Sequence, residues 1–179
     1  MSEKITLHDK PFRVMIPAEE IDRAVSRIAE QLNERFAGRV PIMLGVLSGS
    51  YMFLSDLARK TTFNSELAFV KLSSYQGTES TGQVIQQFEV DMDVEGRDII
   101  IVEDIVETGH SMNYLLSLLR EKRPASITIC TLFFKPEKFL YDFTVDYVAL
   151  SIGNEFIVGY GLDYNQLGRN LKDIYVIDE

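Results

Sequence analysis

The chain has 179 residues, 46% hydrophobic and 25% charged, with a formal net charge of -9 at pH 7. That length suits one domain, 1–179, with a real buried core. The acidic balance disfavours duplex nucleic acid and anionic membranes as partners, because the summed field repels phosphates.

A lone cysteine, Cys130, rules out an intrachain disulfide and sits in an apolar run, where it reads as a small buried hydrophobe. The first ten residues carry no apolar signal region. No stretch approaches the ~20 apolar residues of a membrane helix. A cytoplasmic location is the resulting expectation.

Pro17, Glu19 and Glu20 open a helix: proline suits a first turn and the acids suit the helix dipole. Ile21, Val25, Ile28, Ala29 and Leu32 then recur at helical spacing until Gly38 and Pro41 break the pattern. Residues 41–47 form a short apolar run that reads as a buried strand. Ser48-Gly49-Ser50 makes a tight turn, and residues 52–59 read as a helix. Residues 71–82 are polar with two glycines and read as an exposed hairpin loop.

The strand–turn–helix pattern returns as an apolar strand 98–102, a turn 103–111 and a helix 112–119. Residues 126–134 and 145–150 read as two further strands. Apolar strands alternating with helices predict an α/β fold with a mostly parallel sheet covered on both faces. Ligands of such sheets bind at the carboxyl ends of the strands, so the two strand-to-helix turns are the places to seek chemistry.

The second turn is the more informative. Two adjacent carboxylates, Glu103 and Asp104, follow an all-apolar strand, and Glu107-Thr108-Gly109-His110-Ser111 opens a helix. Free backbone N–H groups, hydroxyls and the helix dipole make such a turn a site for a phosphate monoester. The paired acids suit Mg²⁺ or sugar hydroxyls, and are costly after an apolar strand unless something pairs them.

This segment resembles the phosphoribosyl-pyrophosphate (PRPP) signature of type I phosphoribosyltransferases, and the resemblance spans nearly the whole chain. Leu47-Ser48-Gly49 is similar to the pyrophosphate loop, and Ser74-Tyr75 to the pair at the tip of a closing lid. Phe133-Phe134-Lys135-Pro136 resembles the strand that supplies a purine-reading lysine. Residues 156–165 with Arg169 resemble the C-terminal hood of the hypoxanthine–guanine members.

The resemblance implies the type I fold: a mostly parallel central sheet flanked by helices, with a core at about 15–150. It also implies a hood from the N-terminal segment and about 151–179, and a mobile lid at about 73–86. The implied activity is Mg²⁺-dependent purine salvage, moving 5-phosphoribosyl from PRPP to N9 of hypoxanthine or guanine.

Roles follow by the same resemblance. Residues 107–111, with the Thr108 and Ser111 hydroxyls, would hold the 5′-phosphate. Glu103 and Asp104 would hold the ribose hydroxyls, directly or through Mg²⁺. Leu47, Ser48 and Gly49 would take pyrophosphate across a peptide bond that is often cis in the family. Asp163 would hold a second Mg²⁺ and Arg169 would add charge at pyrophosphate. Phe156 would stack on the purine and Lys135 would donate to its 6-oxo oxygen. Carbonyls near Ile157 and Asp163 would accept from guanine's amine, and Glu107 would take or share the N7 proton. His110 fills a variable turn position.

Two positions depart from the family pattern: Glu107 stands where Asp is common, and Ser48 where Lys or Arg is common. Both bear on turnover rate more than on ligand identity. Two alternatives remain at this level. One is a catalytically weakened, nucleotide-sensing member of the same fold; the other is a phosphatase or phosphoacceptor on a doubly wound sheet, which leaves Lys135, Phe156 and Arg169 unexplained. Relatives are dimers or tetramers, so a homo-oligomer is expected.

Overall fold

A computed structural model describes residues 4–74, 84–86 and 93–178. The order is β1 (Lys4–Leu7), β2 (Lys10–Ile16), α1 (Ala18–Arg35), β3 (Ile42–Leu47), α2 (Tyr51–Lys60) and β4 (Glu66–Ser74). Then follow β5 (Val84–Gln86), β6 (Asp98–Val106), α3 (His110–Glu121) and β7 (Ser126–Phe134). A short 3-10 turn at Pro136–Lys138 leads to β8 (Tyr147–Ser151), β9 (Ile157–Val158) and β10 (Ile174–Ile177).

The main sheet runs β5-β4-β3-β6-β7-β8. Its five strands β4, β3, β6, β7 and β8 are parallel, and β5 pairs antiparallel with β4 at one edge. This is the expected α/β architecture. The strands are apolar throughout because both faces are covered. Met43, Ile100, Val102 and Cys130 point to the face covered by α1 and α2. Ile42, Leu44, Ile99, Ile101 and Ile129 point to the opposite face, covered by α3. The two sets alternate along each strand with the period of two that a pleated strand imposes.

A second, four-stranded antiparallel sheet has the order β1-β2-β10-β9, so the two ends of the chain build it together. Its own small core centres on Phe12, Val158 and Tyr175. This sheet is the expected hood. Asp173, just before β10, ties it to the main body. Its buried carboxylate accepts a hydrogen bond from the Ala18 amide at 2.7 Å, capping α1 from outside the helix.

Sequence and structure differ in three places. First, β6 does not end at Val102 but runs to Val106, paired with β7 through Ile105↔Phe133 and Val106↔Phe134. A backbone ladder is indifferent to the charge of the side chains it carries, so Glu103 and Asp104 sit within the strand's last turn of pleat. Second, α3 starts at His110, directly after Gly109. Third, β4 continues to Ser74 rather than giving way to loop at Lys71. Most of the proposed lid, including Tyr75, lies outside the described residues. Among the described residues no helix is long and apolar enough to cross a membrane.

Candidate active site

Two adjoining concavities lie at the carboxyl ends of β3 and β6. One, of about 180 Å³, is lined by Glu103 and residues 105–112. The other, of about 310 Å³, is lined by residues 46–49, Glu103, Asp104, Ile105, Ser111, Asp163 and Arg169. Three loops far apart in the chain therefore meet at one edge of the sheet.

The first loop leaves β3 through a cis Leu47–Ser48 peptide bond. The Ser50 hydroxyl, fully buried, donates to the Val46 carbonyl at 2.6 Å and closes the turn into α2. Gly49 packs flat against Asp104: a Cβ there would lie 1.4 Å from Asp104 Oδ2. On its other side the Gly49 carbonyl meets Gly161 of the hood, where a Cβ would lie 2.0 Å from that oxygen. The loop is thus clasped between β6 and the hood.

The second loop carries the paired acids. Glu103 is 8% exposed. Its carboxylate accepts from the Asp104 amide at 3.2 Å, and Asp104 accepts from the Ile105 amide at 2.8 Å. Burial, and then the neighbouring Asp104 charge, hold the Glu103 carboxyl well above the usual glutamate range. Burial lifts Asp104 too, against the pull of its hydrogen bonds and of the Arg169 charge.

Beyond them Gly109 adopts φ 85, a left-handed conformation that lets the chain turn sharply into α3. It has no room for a Cβ either, because Phe139 and Tyr141 pack beneath it. Thr108 Oγ1 accepts from the His110 amide at 3.4 Å, a long contact, and His110 Nδ1 meets the Tyr141 hydroxyl at 2.7 Å. The residues of this helix start line the smaller concavity, and a helix N-terminus carries the positive end of the helix dipole.

The third loop belongs to the hood. Arg169 pairs with Asp163 at 2.6 Å and donates to the Gly161 carbonyl at 2.7 Å. The second Asp163 oxygen accepts from the Gln166 amide at 2.7 Å.

Lys135, at the end of β7, is only 3% exposed. Its ammonium donates to Glu107 at 2.5 Å and to the Glu155 carbonyl at 2.9 Å. Lys138 approaches the other Glu107 oxygen at 3.6 Å. Burial opposes the Glu107 charge, but the two lysines outweigh it and keep the carboxyl below the usual glutamate range. Phe156 is 47% exposed, its ring edge-on to Tyr164 at 5.9 Å, and Ile157 is buried in β9.

The two concavities bring together Leu47, Ser48, Gly49, Glu103, Asp104, residues 107–111, Asp163 and Arg169, with Lys135 paired to Glu107; Ser74 ends β4, and Tyr75 lies outside the described residues. Beside the helix start at α3 stand a buried lysine, Lys135, and, in the hood, the exposed ring of Phe156. Residues 17–165 match the phosphoribosyl transferase domain family. The chain belongs to the phosphoribosyltransferase family.

The family's similarity extends to named relatives. A hypoxanthine-guanine phosphoribosyltransferase of Streptococcus pyogenes is 40% identical over 168 residues, 93% of each chain. The crystal structure of a hypoxanthine phosphoribosyltransferase from Staphylococcus aureus superposes with a TM-score of 0.87 at 37% identity, covering 92% of this chain and 90% of that one. A Trypanosoma cruzi hypoxanthine phosphoribosyltransferase, studied for the role of its C-terminal region in oligomeric state and activity, has a TM-score of 0.87 at 31% identity, covering 97% and 95%.

Several contacts had no signature in the sequence. Glu155 serves through its carbonyl, which any residue could supply. Gly161 matters only because the hood folds onto Gly49. Lys138 had one usable signal: the Lys-Pro-Glu-Lys spacing after an apolar strand, which a 3-10 turn converts into two lysines on one side.

Proposed function

We propose that this chain is a purine salvage enzyme that transfers the 5-phosphoribosyl group of PRPP to N9 of hypoxanthine or guanine, releasing pyrophosphate. The observation that carries this reading is the meeting of the loops at residues 47–49, 103–111 and 161–169 around one pair of concavities, with Lys135 beside them. Two anion sites flank a pair of sugar-binding acids, which is the charge pattern of PRPP.

In this reading the amides of residues 107–111, with the Thr108 and Ser111 hydroxyls, bind the 5′-phosphate at the start of α3. Glu103 and Asp104 hold the ribose 2′- and 3′-hydroxyls. The backbone of Leu47, Ser48 and Gly49 takes pyrophosphate, and Arg169 adds a guanidinium there. Phe156 presents its open face to the purine. Lys135 donates to the 6-oxo oxygen; the amine that adenine carries at that position is itself a donor and cannot accept this bond. Carbonyls near Ile157 and Asp163 accept from the 2-amino group of guanine.

Glu103 and Asp104 also fit Mg²⁺. They offer adjacent hard oxygens at a cavity mouth, and among the described residues no lysine or arginine forms a salt bridge to either. Asp163 would hold a second Mg²⁺ only by loosening its pair with Arg169. Bound Mg²⁺ supplies neutralisation of the charge that builds on departing pyrophosphate. The protein's own share is positioning, charge and exclusion of water. The bond from C1 of the ribose to pyrophosphate breaks as N9 attacks, and the purine's surplus proton leaves through N7 towards Glu107.

A homo-oligomer, a cytoplasmic location and the absence of a nucleic-acid partner complete the reading, the last supported by the net charge of -9. An ultraviolet assay with PRPP, Mg²⁺ and each base in turn tests it. Turnover of hypoxanthine or guanine, with adenine inert, is the expected result. No turnover of any base removes it.

A further inference from the structure

Lys135 is the one buried cation at the site among the described residues, and it is already engaged. A buried ammonium needs acceptors for its three N–H donors. Two are in place: the Glu107 carboxylate at 2.5 Å and the Glu155 carbonyl at 2.9 Å. A carboxylate is a stronger acceptor than a neutral oxygen. An incoming 6-oxo group therefore meets a lysine whose best bond is made within the protein.

Glu107 is itself contested. Lys138 lies 3.6 Å from its second oxygen. The reason is local: Pro136–Lys138 forms a 3-10 turn, in which residues three apart eclipse, so Lys138 stands over Lys135. One carboxylate is shared between a buried and a half-exposed lysine.

The structure assigns Glu107 the role of an internal competitor for the purine, holding Lys135 against an incoming base to a degree set by Lys138. This deepens the reading above and rests on it, since it takes Lys135 to be the residue that meets the base. Glu107 acts here as a positioning residue, through Lys135, whatever it does with a proton at N7.

Chain geometry gives the test. An aspartate at 107 retreats by one carbon–carbon bond, about 1.5 Å, taking the 2.5 Å contact to about 4 Å and out of hydrogen-bond range. Glu107→Asp therefore frees Lys135. Lys138→Met does the opposite: it leaves Glu107 a single lysine to hold. Lys138 is half-exposed, so the change leaves the fold intact.

Calorimetric titration with IMP reads base and phosphate together, and titration with ribose 5-phosphate reads the phosphate cradle alone. Glu107→Asp is expected to bind IMP about threefold to tenfold more tightly, the worth of one partly exposed charge-assisted bond. Lys138→Met is expected to bind IMP about threefold more weakly, and to have no effect when Glu107→Asp is already present. Ribose 5-phosphate should bind all variants alike. If Glu107→Asp binds IMP no better than the unchanged protein, or Lys138→Met acts equally in both backgrounds, the competitor role is overturned while the purine site stands. If ribose 5-phosphate and IMP both fail to bind the unchanged protein, the enzymatic reading falls and the competitor role falls with it.

Discussion

Gly49→Ala isolates the contact on which the candidate site depends. The added Cβ would lie 1.4 Å from Asp104 Oδ2 and 2.5 Å from Asp104 Cγ. An ordinary contact begins near 3.4 Å, so about 2 Å of movement is required. The loop cannot supply it by backing away, because the Gly49 carbonyl is already pressed against Gly161, where even a methyl would sit 2.0 Å from it. Asp104 must therefore swing out of place. A misplacement of about 1 Å can cost 100-fold in rate, so kcat/KM for PRPP should fall by at least about 100-fold. Gly49 has no left-handed φ, so the effect is steric rather than conformational. Gly38→Ala is the matched control. Its φ of 73 makes alanine strained, yet nothing lies within 4 Å of the new methyl. It should lose about 1 kcal/mol of stability, about 2–4 °C in Tm, with activity intact. Steady-state kinetics and thermal melts of both variants decide the matter. A Gly49→Ala enzyme within about threefold of the unchanged protein would refute the reasoning.

Glu103→Gln should raise the Tm of the ligand-free protein at pH 7.5 while weakening PRPP binding. Burial and the Asp104 charge push the Glu103 carboxyl upward, so its ionised form penalises the fold. The sign follows: the penalty is absent below the ordinary glutamate value of 4.5 and grows as pH rises through the higher folded value. The Tm gain of the glutamine variant should therefore shrink as pH is lowered, and a gain independent of pH would contradict this account. Phe156→Ala removes a ring that is 47% exposed, so the melt should shift little while the Kd for IMP rises and that for ribose 5-phosphate does not. Leu119→Ala, fully buried on the face of α3 that packs against the sheet, should cost about 2–5 kcal/mol by leaving a cavity, with IMP affinity of the folded protein unchanged.

The parallel core was legible because burial on both faces leaves little choice of residue: β3, β6 and β7 read as apolar runs before any fold is known. The hood was legible only by family resemblance, and none of its strands was read from the sequence. β9 has two residues and β10 four, too short for periodicity to speak; β9 pairs only with β10, and β10 with β2 at the other end of the chain. The candidate site divides the same way. Glu103, Asp104 and the Gly109 turn announce themselves through chemistry that is costly without a ligand. Lys135 was recognised, but its grip on Glu107 was not, because two side chains 28 residues apart meet only once β6 and β7 lie side by side.

That adjacency also explains how an acidic protein can offer a seat to an anion. The register pairs Val106 with Phe134, so the residues that follow each strand, Glu107 and Lys135, emerge together at the same edge. The lysine is carried into the interior by a mostly apolar strand, and the carboxylate beside it supplies its ion-pair partner. Arg169 is brought to the same edge by the hood and held there by Asp163 and the Gly161 carbonyl. Each cation at the site is thus pre-oriented by an acid that costs it part of its field. Ligand affinity then depends less on net charge than on which of these internal pairs a phosphate or an oxo group can loosen. In the Glu107–Lys135 pair the ammonium is 3% exposed and the carboxylate 40%, so the acid is the partner that solvent reaches.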